Sequence, residues 1–235
     1  IAVHPHLSDQ SETIVGALLS QKKTLYSEED KTALRPGVVH RLDKGTTGVM
    51  LFVKTKRAYL SLTEQFRKKT NFRSYRAILD GVINPGETTY ESYLRRSPLL
   101  RDRFESISLD KYNQEKIFSG NLRFARTHFK RISLFAHSFS FVQATLDTGR
   151  THQIRVHAQM LKCPVLGDSL YNRLRDYPQF LDSKLRLRLK KLPHQLLHAE
   201  KLGFYHPKSK KWLSFQKEPP KVFLDLLEEL QKYEI

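Results

Sequence analysis

The sequence has few of the features that mark secreted, membrane-spanning or metal-binding proteins. It contains a single cysteine, Cys163, so no internal disulfide can form, and this usage is typical of a reducing compartment. No apolar run approaches the roughly 20 residues that cross a bilayer, and no signal-peptide pattern opens the chain. We therefore expect a cytoplasmic protein in which Cys163 is a small buried hydrophobe.

Metal and nucleotide motifs are also missing. His194 and His198 have the spacing of a helical zinc pair, but no Glu-x-x-His pattern fills the gap. His152 and His157 would lie on different faces of a helix. The stretch 45–48 lacks the spacing of a phosphate-binding glycine loop. The sequence therefore implies no metal and no cofactor.

Negative charge is scarce compared with positive charge. The 235 residues include 41 Lys and Arg against 24 Asp and Glu, which gives a net charge of +17. Such a surplus attracts polyanions, and no long basic amphipathic helix points to a membrane surface. Nucleic acid is the favoured target, although composition alone leaves acidic lipid or protein open. A hydrophobic content of 39%, with 14 Phe and 10 Tyr, is sufficient for a folded core.

One acidic side chain stands out in residues 40–48, which read HRLDKGTTG. Asp43 lies between the basic pair His40 and Arg41 and a turn bounded by glycines. The apolar run 49–53 that follows has the character of a buried strand, so we expect Asp43 on a loop that enters a strand. Taken alone, Arg-Leu-Asp is more often a solvated loop than a catalytic site.

The longer pattern favours catalysis. Five segments occur in order along the chain: 40–48 (HRLDKGTTG), 74–81 (SYRAILDG), 148–157 (TGRTHQIRVH), 164–171 (PVLGDSLY) and 197–207 (LHAEKLGFYHP). Together they resemble the large bacterial-type family of RNA pseudouridine synthases, which modify ribosomal and transfer RNA without a guide RNA. Thr47 stands where the signature more commonly has Ser, and this change keeps the hydroxyl.

The resemblance implies an α/β fold, with a mixed and largely antiparallel sheet flanked by helices and a central active-site cleft. It also implies that residues 1–235 form one catalytic domain that lacks the family's first strand. Any accessory RNA-binding domain would then stand outside this chain.

The resemblance assigns the chemistry to three residues. Pseudouridine formation moves the sugar from N1 to C5 of uracil, and a carboxylate can act as a nucleophile at C1′ or as a base at C2′. Asp43 would be this carboxylate, Arg155 its charge partner, and Tyr75 the ring against the flipped uracil. The alternative roles are a core tyrosine and a surface arginine.

The expected partner is structured RNA, bound by a monomer without a membrane or a metal. Flipping a uridine costs least in loops, so a stem-loop is expected, in ribosomal RNA first and transfer RNA second. His40, Arg41, Arg150 and His152 are the predicted RNA contacts, although Arg41 could equally form a structural ion pair. A non-catalytic RNA-binding or ribosome-assembly module on the same fold is the alternative function.

Local patterns predict several elements outside the motifs. We expect an amphipathic helix over 56–70, strands over 73–83 and 139–146, a helix capped by Thr151, and a packing helix after Pro220. Residues 184–191 alternate apolar and basic side chains and fit either a strand or a helix. The basic segment 95–130 is either an RNA-contacting insertion or a set of solvated hairpins.

Overall fold

The computed structural model describes residues 2–3, 12–21, 24–27, 35–115, 121–172 and 176–234. The chain divides into two compact units. Unit 1 comprises Ile1–Arg73 and Ala199–Glu218, and unit 2 comprises Ser74–His198 and Pro219–Ile235. That residues 1–235 form one catalytic domain stays a prediction, as does the central cleft.

The described residues form both helices and strands. In chain order they are α1 (Ile14–Ser20), β1 (Thr47–Gly48), α2 (Lys56–Lys68), β2 (Phe72–Asp80), β3 (Glu87–Arg96), β4 (Phe104–Ile107), α3 (Leu109–Glu115), β5 (Arg123–Phe135), β6 (Phe139–Leu146), α4 (Gln153–Met160), α5 (Ser183–Lys190), β7 (Leu197–Tyr205), β8 (Trp212–Gln216) and α6 (Lys221–Gln231). None of the helices in the described part of the chain is long and apolar enough to span a bilayer.

Helix α2 supplies the packing of unit 1 and confirms the amphipathic helix predicted over 56–70. The hydroxyl of Thr55 accepts the Ala58 N–H at 3.3 Å, which caps its start, and Lys69 ends it in the left-handed conformation. Its buried Leu62 packs with Val53 and with strand β7, which pairs antiparallel with β8.

The strand predicted over 49–53 does not form. Only Thr47 and Gly48 form β1, and Phe52 makes a single bridge to Val38. The amides of the run bond to three separate acceptors: Val49 to the Ala199 carbonyl, Leu51 to the His40 ring and Val53 to the Gly37 carbonyl. No neighbouring strand offers a continuous ladder, and the apolar pattern alone does not reveal this.

Unit 2 contains an antiparallel sheet in the order β2, β6, β5, β3, β4. The largely antiparallel α/β architecture implied by the resemblance is confirmed. Strand β6 has the predicted bounds, and β2 ends at Asp80, three residues before the predicted end. On β6, the side chains of Val142 and Ala144 are buried while Gln143 between them is half-buried, the alternation of a sheet with one covered face.

Helix α4 covers the buried face of this sheet. The side chain of His157 contacts Ser92 on β3 and Thr127 on β5, at 3.1 and 2.9 Å. The prediction that Thr151 caps the helix is wrong: the N-cap is His152, in the left-handed conformation (φ 57°) and without a side-chain cap bond. Residues 153–158 are all buried, so the helix is enclosed rather than amphipathic.

The other predicted helices bury their apolar stripes in unit 2. Residues 184–191 are mostly helical, in α5, with Leu185 and Leu189 buried and Leu187 exposed. Helix α6 buries Phe223, Leu226 and Leu230 and confirms the predicted packing helix. Cys163 is buried, as expected.

The basic segment 95–130 contains the end of β3, all of β4, helix α3 and the first part of β5, although residues 116–120 lie outside the described part of the chain. Several of its cations pair with acids on neighbouring strands, as in the contacts Arg95–Glu105 and Lys130–Glu87, both 2.6 Å. These pairs are partly or largely exposed, so they add little stability. Contact of this segment with RNA stays a prediction.

Candidate active site

Asp43 begins a tight turn in unit 1. Its carbonyl oxygen accepts the Thr46 N–H at 3.0 Å, and Gly45, the third residue of the turn, has φ +86°. This is the geometry of a type II turn, which requires a positive φ at that position. Leu42 is buried, Arg41 is exposed, and Asp43 is half-buried. The turn therefore anchors its apolar neighbour and leaves the carboxylate partly accessible.

Gly48 ties the end of this turn to strand β7. Its φ is +123°, and a Cβ added there would lie 2.2 Å from the Ala199 carbonyl oxygen. The next residue, Val49, donates its N–H to the same oxygen at 2.8 Å. Only glycine fits this approach, which explains the second glycine of the motif.

His40 has a packing role in unit 1. Its Nε2 accepts the Leu51 N–H at 2.9 Å, and its ring stacks on Phe66 with centroids 4.9 Å apart. Burial and, to a smaller extent, the Arg73 guanidinium lower the pKa of His40 to about 4. Any contact between His40 and RNA is therefore that of a neutral ring.

Tyr75 lies on β2 in unit 2 and is 9% exposed. It pairs with Ala144 on β6, and Ala144 pairs with Phe129 on β5. Paired residues of an antiparallel sheet point to the same face, so Tyr75 shares the face that α4 covers.

Arg155 extends from α4 and is buried, not a surface residue. Its Nε and Nη2 donate to Oδ2 and Oδ1 of Asp168 at 2.6 and 2.8 Å, and the side chains are 5% and 0% exposed. The guanidinium carbon lies 5.0 Å from the centre of the Tyr171 ring. Asp168 and Tyr171 are in the fourth motif, but the sequence does not pair either of them with Arg155.

Arg150 and His152 lie at the turn that leads into α4. Arg150 is exposed and its Nε donates to the Phe124 carbonyl at 3.0 Å; partial desolvation and then the nearby Arg123 lower its pKa. His152 Nδ1 lies 2.8 Å from the Tyr171 hydroxyl. The structure thus connects His152 with the residues around Arg155.

Gln153 is a structural residue that the sequence reading did not single out. Its Oε1 accepts the Thr148 hydroxyl and the Arg150 N–H, at 2.7 and 3.0 Å. Its Nε2 donates to the Arg126 carbonyl and the Thr127 hydroxyl, both at 2.9 Å. The buried amide therefore provides hydrogen-bond partners for polar groups of the turn at 148–152. The position of Gln153 inside the third motif was the sequence signal that could have identified it.

The predicted site residues fall into two groups. His40, Arg41 and Asp43 belong to unit 1, and Tyr75, Arg150, His152 and Arg155 belong to unit 2. A contact between Asp43 and Arg155 stays a prediction. Within the described residues no cluster of His, Cys, Asp and Glu could hold a metal ion.

Comparison with known proteins identifies similar chains over most of the sequence. The family model described as RNA pseudouridylate synthase matches residues 3–160. The chain is 33% identical over 230 residues to ribosomal large subunit pseudouridine synthase D of Buchnera aphidicola subsp. Baizongia pistaciae, covering 98% of this chain and 67% of the relative. It is 36% identical over 209 residues to the protein of the same name from Xanthomonas campestris pv. campestris, covering 89% of this chain and 57% of the relative.

Other relatives give the same pattern. RNA pseudouridine synthase 2, chloroplastic, of Oryza sativa subsp. japonica is 35% identical over 88% of this chain, which spans only 47% of that relative. The chain thus covers about half to two thirds of these curated relatives. Among solved structures, human RNA pseudouridylate synthase domain containing 4 matches with a TM-score of 0.65 and 24% identity, over 92% of this chain and 81% of the other. This likeness supports the fold.

Proposed function

This chain belongs to the RNA pseudouridylate synthase family, and from that premise we propose that it isomerises specific uridines of structured ribosomal RNA to pseudouridine in the cytoplasm. Two of the relatives are named for the ribosomal large subunit, which favours ribosomal over transfer RNA. The net charge of +17 supports a polyanionic substrate. We expect the protein to act as a monomer.

The reaction breaks the bond from C1′ to N1 of uracil, turns the base and forms a bond from C1′ to C5. The C5 proton leaves to water and N1 gains a proton, so nothing is oxidised or added. Asp43 is the proposed carboxylate, acting as a nucleophile at C1′ or as a base at C2′. Both roles require the ionised form, and the half-buried turn position leaves the side chain accessible.

The buried charge of Arg155, on the helix of unit 2 that covers the sheet face carrying Tyr75, is the observation that best supports this proposal. A guanidinium beside a carboxylate favours the ionised form that both roles require. The Tyr75 ring would stack against the flipped uracil. A core tyrosine alone would not need a buried arginine on the covering helix.

The remaining predicted residues are proposed to bind RNA around the flipped base. Exposed Arg41 and Arg150 would contact phosphates, and His152 would lie between Arg150 and the residues that surround Arg155. His40 would stabilise the turn that contains Asp43 by accepting the Leu51 N–H.

Release of tritium from RNA labelled at C5 of uridine tests the activity directly, because that proton is lost in the reaction. We expect release from large-subunit ribosomal RNA fragments with the wild-type protein and none with Asp43→Asn. Release from transfer RNA transcripts alone would change the proposed substrate. Binding of RNA without release from any RNA would instead support the non-catalytic RNA-binding module.

A further inference from the structure

We propose that Asp168 and Tyr171 form a cradle that orients Arg155 for catalysis. Both act through Arg155, so they are positioning residues. The inference rests on the proposed function, because it assigns a purpose to the orientation of one of the proposed catalytic residues.

The cradle holds the guanidinium from two directions. The fork formed by Nε and Nη2 matches the two carboxylate oxygens of Asp168, which defines the plane of the group. The Tyr171 ring, 5.0 Å from the guanidinium carbon, covers one face of that plane. These contacts restrict both rotation about the last bonds of the Arg155 side chain and tilting of the guanidinium plane.

The cradle is itself held in place. Asp168 Oδ1 accepts the backbone N–H groups of Leu170 and Tyr171 at 3.0 and 3.1 Å, so the carboxylate cannot rotate away. The Tyr171 hydroxyl accepts the Phe104 N–H at 2.7 Å and contacts His152 Nδ1 at 2.8 Å. These bonds connect the loop after Val165 with β4 and with the start of α4.

A buried ion pair of this kind is poorly explained as a device for stability. Removing both charges from water costs free energy that their attraction often only balances, and apolar residues can replace such pairs without loss. Orientation explains it better. A guanidinium has a second edge, formed by Nη1 and Nη2, which can bind another carboxylate in the same fork geometry. Asp168 aligns one edge of the guanidinium and thereby sets the direction of the other edge, which under the proposed function would bind Asp43.

Asp168→Asn tests the cradle because it keeps the size of the side chain and removes its charge. We expect kcat to fall roughly a hundredfold, as for a misplaced catalytic group. The KM for RNA should change only a few-fold, since surface cations supply most of the affinity.

A second measurement follows the Arg155 side chain directly and does not depend on enzymatic activity. In a ¹⁵N-labelled protein, hydrogen exchange of the Arg155 Nε–H should be slow in the wild type and much faster in Asp168→Asn. If the wild type is inactive on every RNA while this difference is observed, the proposed function fails and the orienting contact stands, without its catalytic purpose. A folded Asp168→Asn variant with unchanged kcat and unchanged Nε–H exchange would overturn the cradle.

Tyr171→Leu provides the same test if Asp168→Asn does not fold, because it removes the ring and leaves the carboxylate. Tyr177→Leu is the matched control: Tyr177 is also buried, 6% exposed, but it packs in the cluster around α5 and α6. We expect the control to lower stability while kcat and the Nε–H exchange stay as in the wild type. Equal effects of both substitutions on these two readouts would show a general loss of packing and contradict the proposal.

Discussion

The backbone carbonyl of Asp43 accepts a hydrogen bond from the Thr46 N–H at 3.0 Å, and this bond closes the turn that presents the Asp43 side chain. The bond uses the backbone and not the carboxylate, so the turn can persist when the side chain is changed. Substitutions of Asp43 can therefore test chemistry with little disturbance of the local fold.

Asp43→Asn should abolish isomerisation and leave RNA affinity within a few-fold of the wild type, because one acid contributes little to binding by a basic surface. Tritium release and a binding titration measure the two quantities. Asp102→Asn, which changes an exposed acid of the turn between β3 and β4, is the control and should retain activity. Substantial turnover by Asp43→Asn would remove this residue from the chemistry.

Gly48→Ala should destabilise the protein by roughly 3 kcal/mol, since the added Cβ meets the Ala199 carbonyl and the positive φ strains any other residue. Gly86→Ala is a matched control, because its Cβ would lie 3.8 Å from the Arg131 side chain and no other contact is closer. It should change stability by less than about 0.5 kcal/mol. Urea unfolding compares the two; equal losses would contradict the close approach of β1 and β7.

Stability should fall as the pH decreases from about 6.5 to about 4. Burial lowers the pKa of His157 from 6.5 to about 4, so across this range the unfolded chain binds a proton that the folded chain does not. The stability is complete above pH 6.5, and the loss levels off below pH 4. His157 alone should account for roughly 3 kcal/mol.

Urea unfolding at several pH values measures this slope. His157→Gln should make the slope shallower, although it also lowers stability at neutral pH through the lost bonds to Ser92 and Thr127. His137→Gln changes an exposed histidine and should keep the wild-type slope. A variant at His157 with the full wild-type slope would show that another group causes the pH dependence.

RNA affinity should fall steeply with salt, by roughly 0.7 to 0.9 log units per tenfold salt for each phosphate neutralised. Cognate and non-cognate RNAs of equal length should show similar slopes, because phosphate contacts carry no sequence information. Arg41→Gln and Arg150→Gln should each reduce the slope by the contribution of about one phosphate contact. Lys68→Gln, which removes a cation already paired with Glu64 at 3.2 Å, should leave it unchanged. An affinity independent of salt would show that the basic surplus does not capture RNA.

Elements with a strong local pattern were predictable from the sequence. Strand β6 has the predicted bounds, and α2 and α6 bury the apolar stripes that their spacing indicates. In these elements the residues that decide the structure are close neighbours in the chain. The glycines at 45 and 48 were also readable, because positive φ angles and close backbone contacts require glycine.

Predictions failed where partners distant in sequence decide the structure. The run 49–53 has the composition of a strand, but its amides bond to three separate acceptors and form no ladder. Thr151 has the residue type of a cap, but the N-cap position falls on His152, and the Gln153 side chain bonds to the turn instead.

The sequence by itself determined the family, the basic character and the identity of the proposed catalytic residues, because these depend on residue types at fixed spacing and on summed charge. Only the tertiary structure decided how those residues are held. It buried Arg155 against Asp168, made His40 a neutral packing residue, and placed Tyr75 on the face covered by α4. Burial and hydrogen-bond partners are set by segments far apart in the chain, and a linear pattern does not contain them.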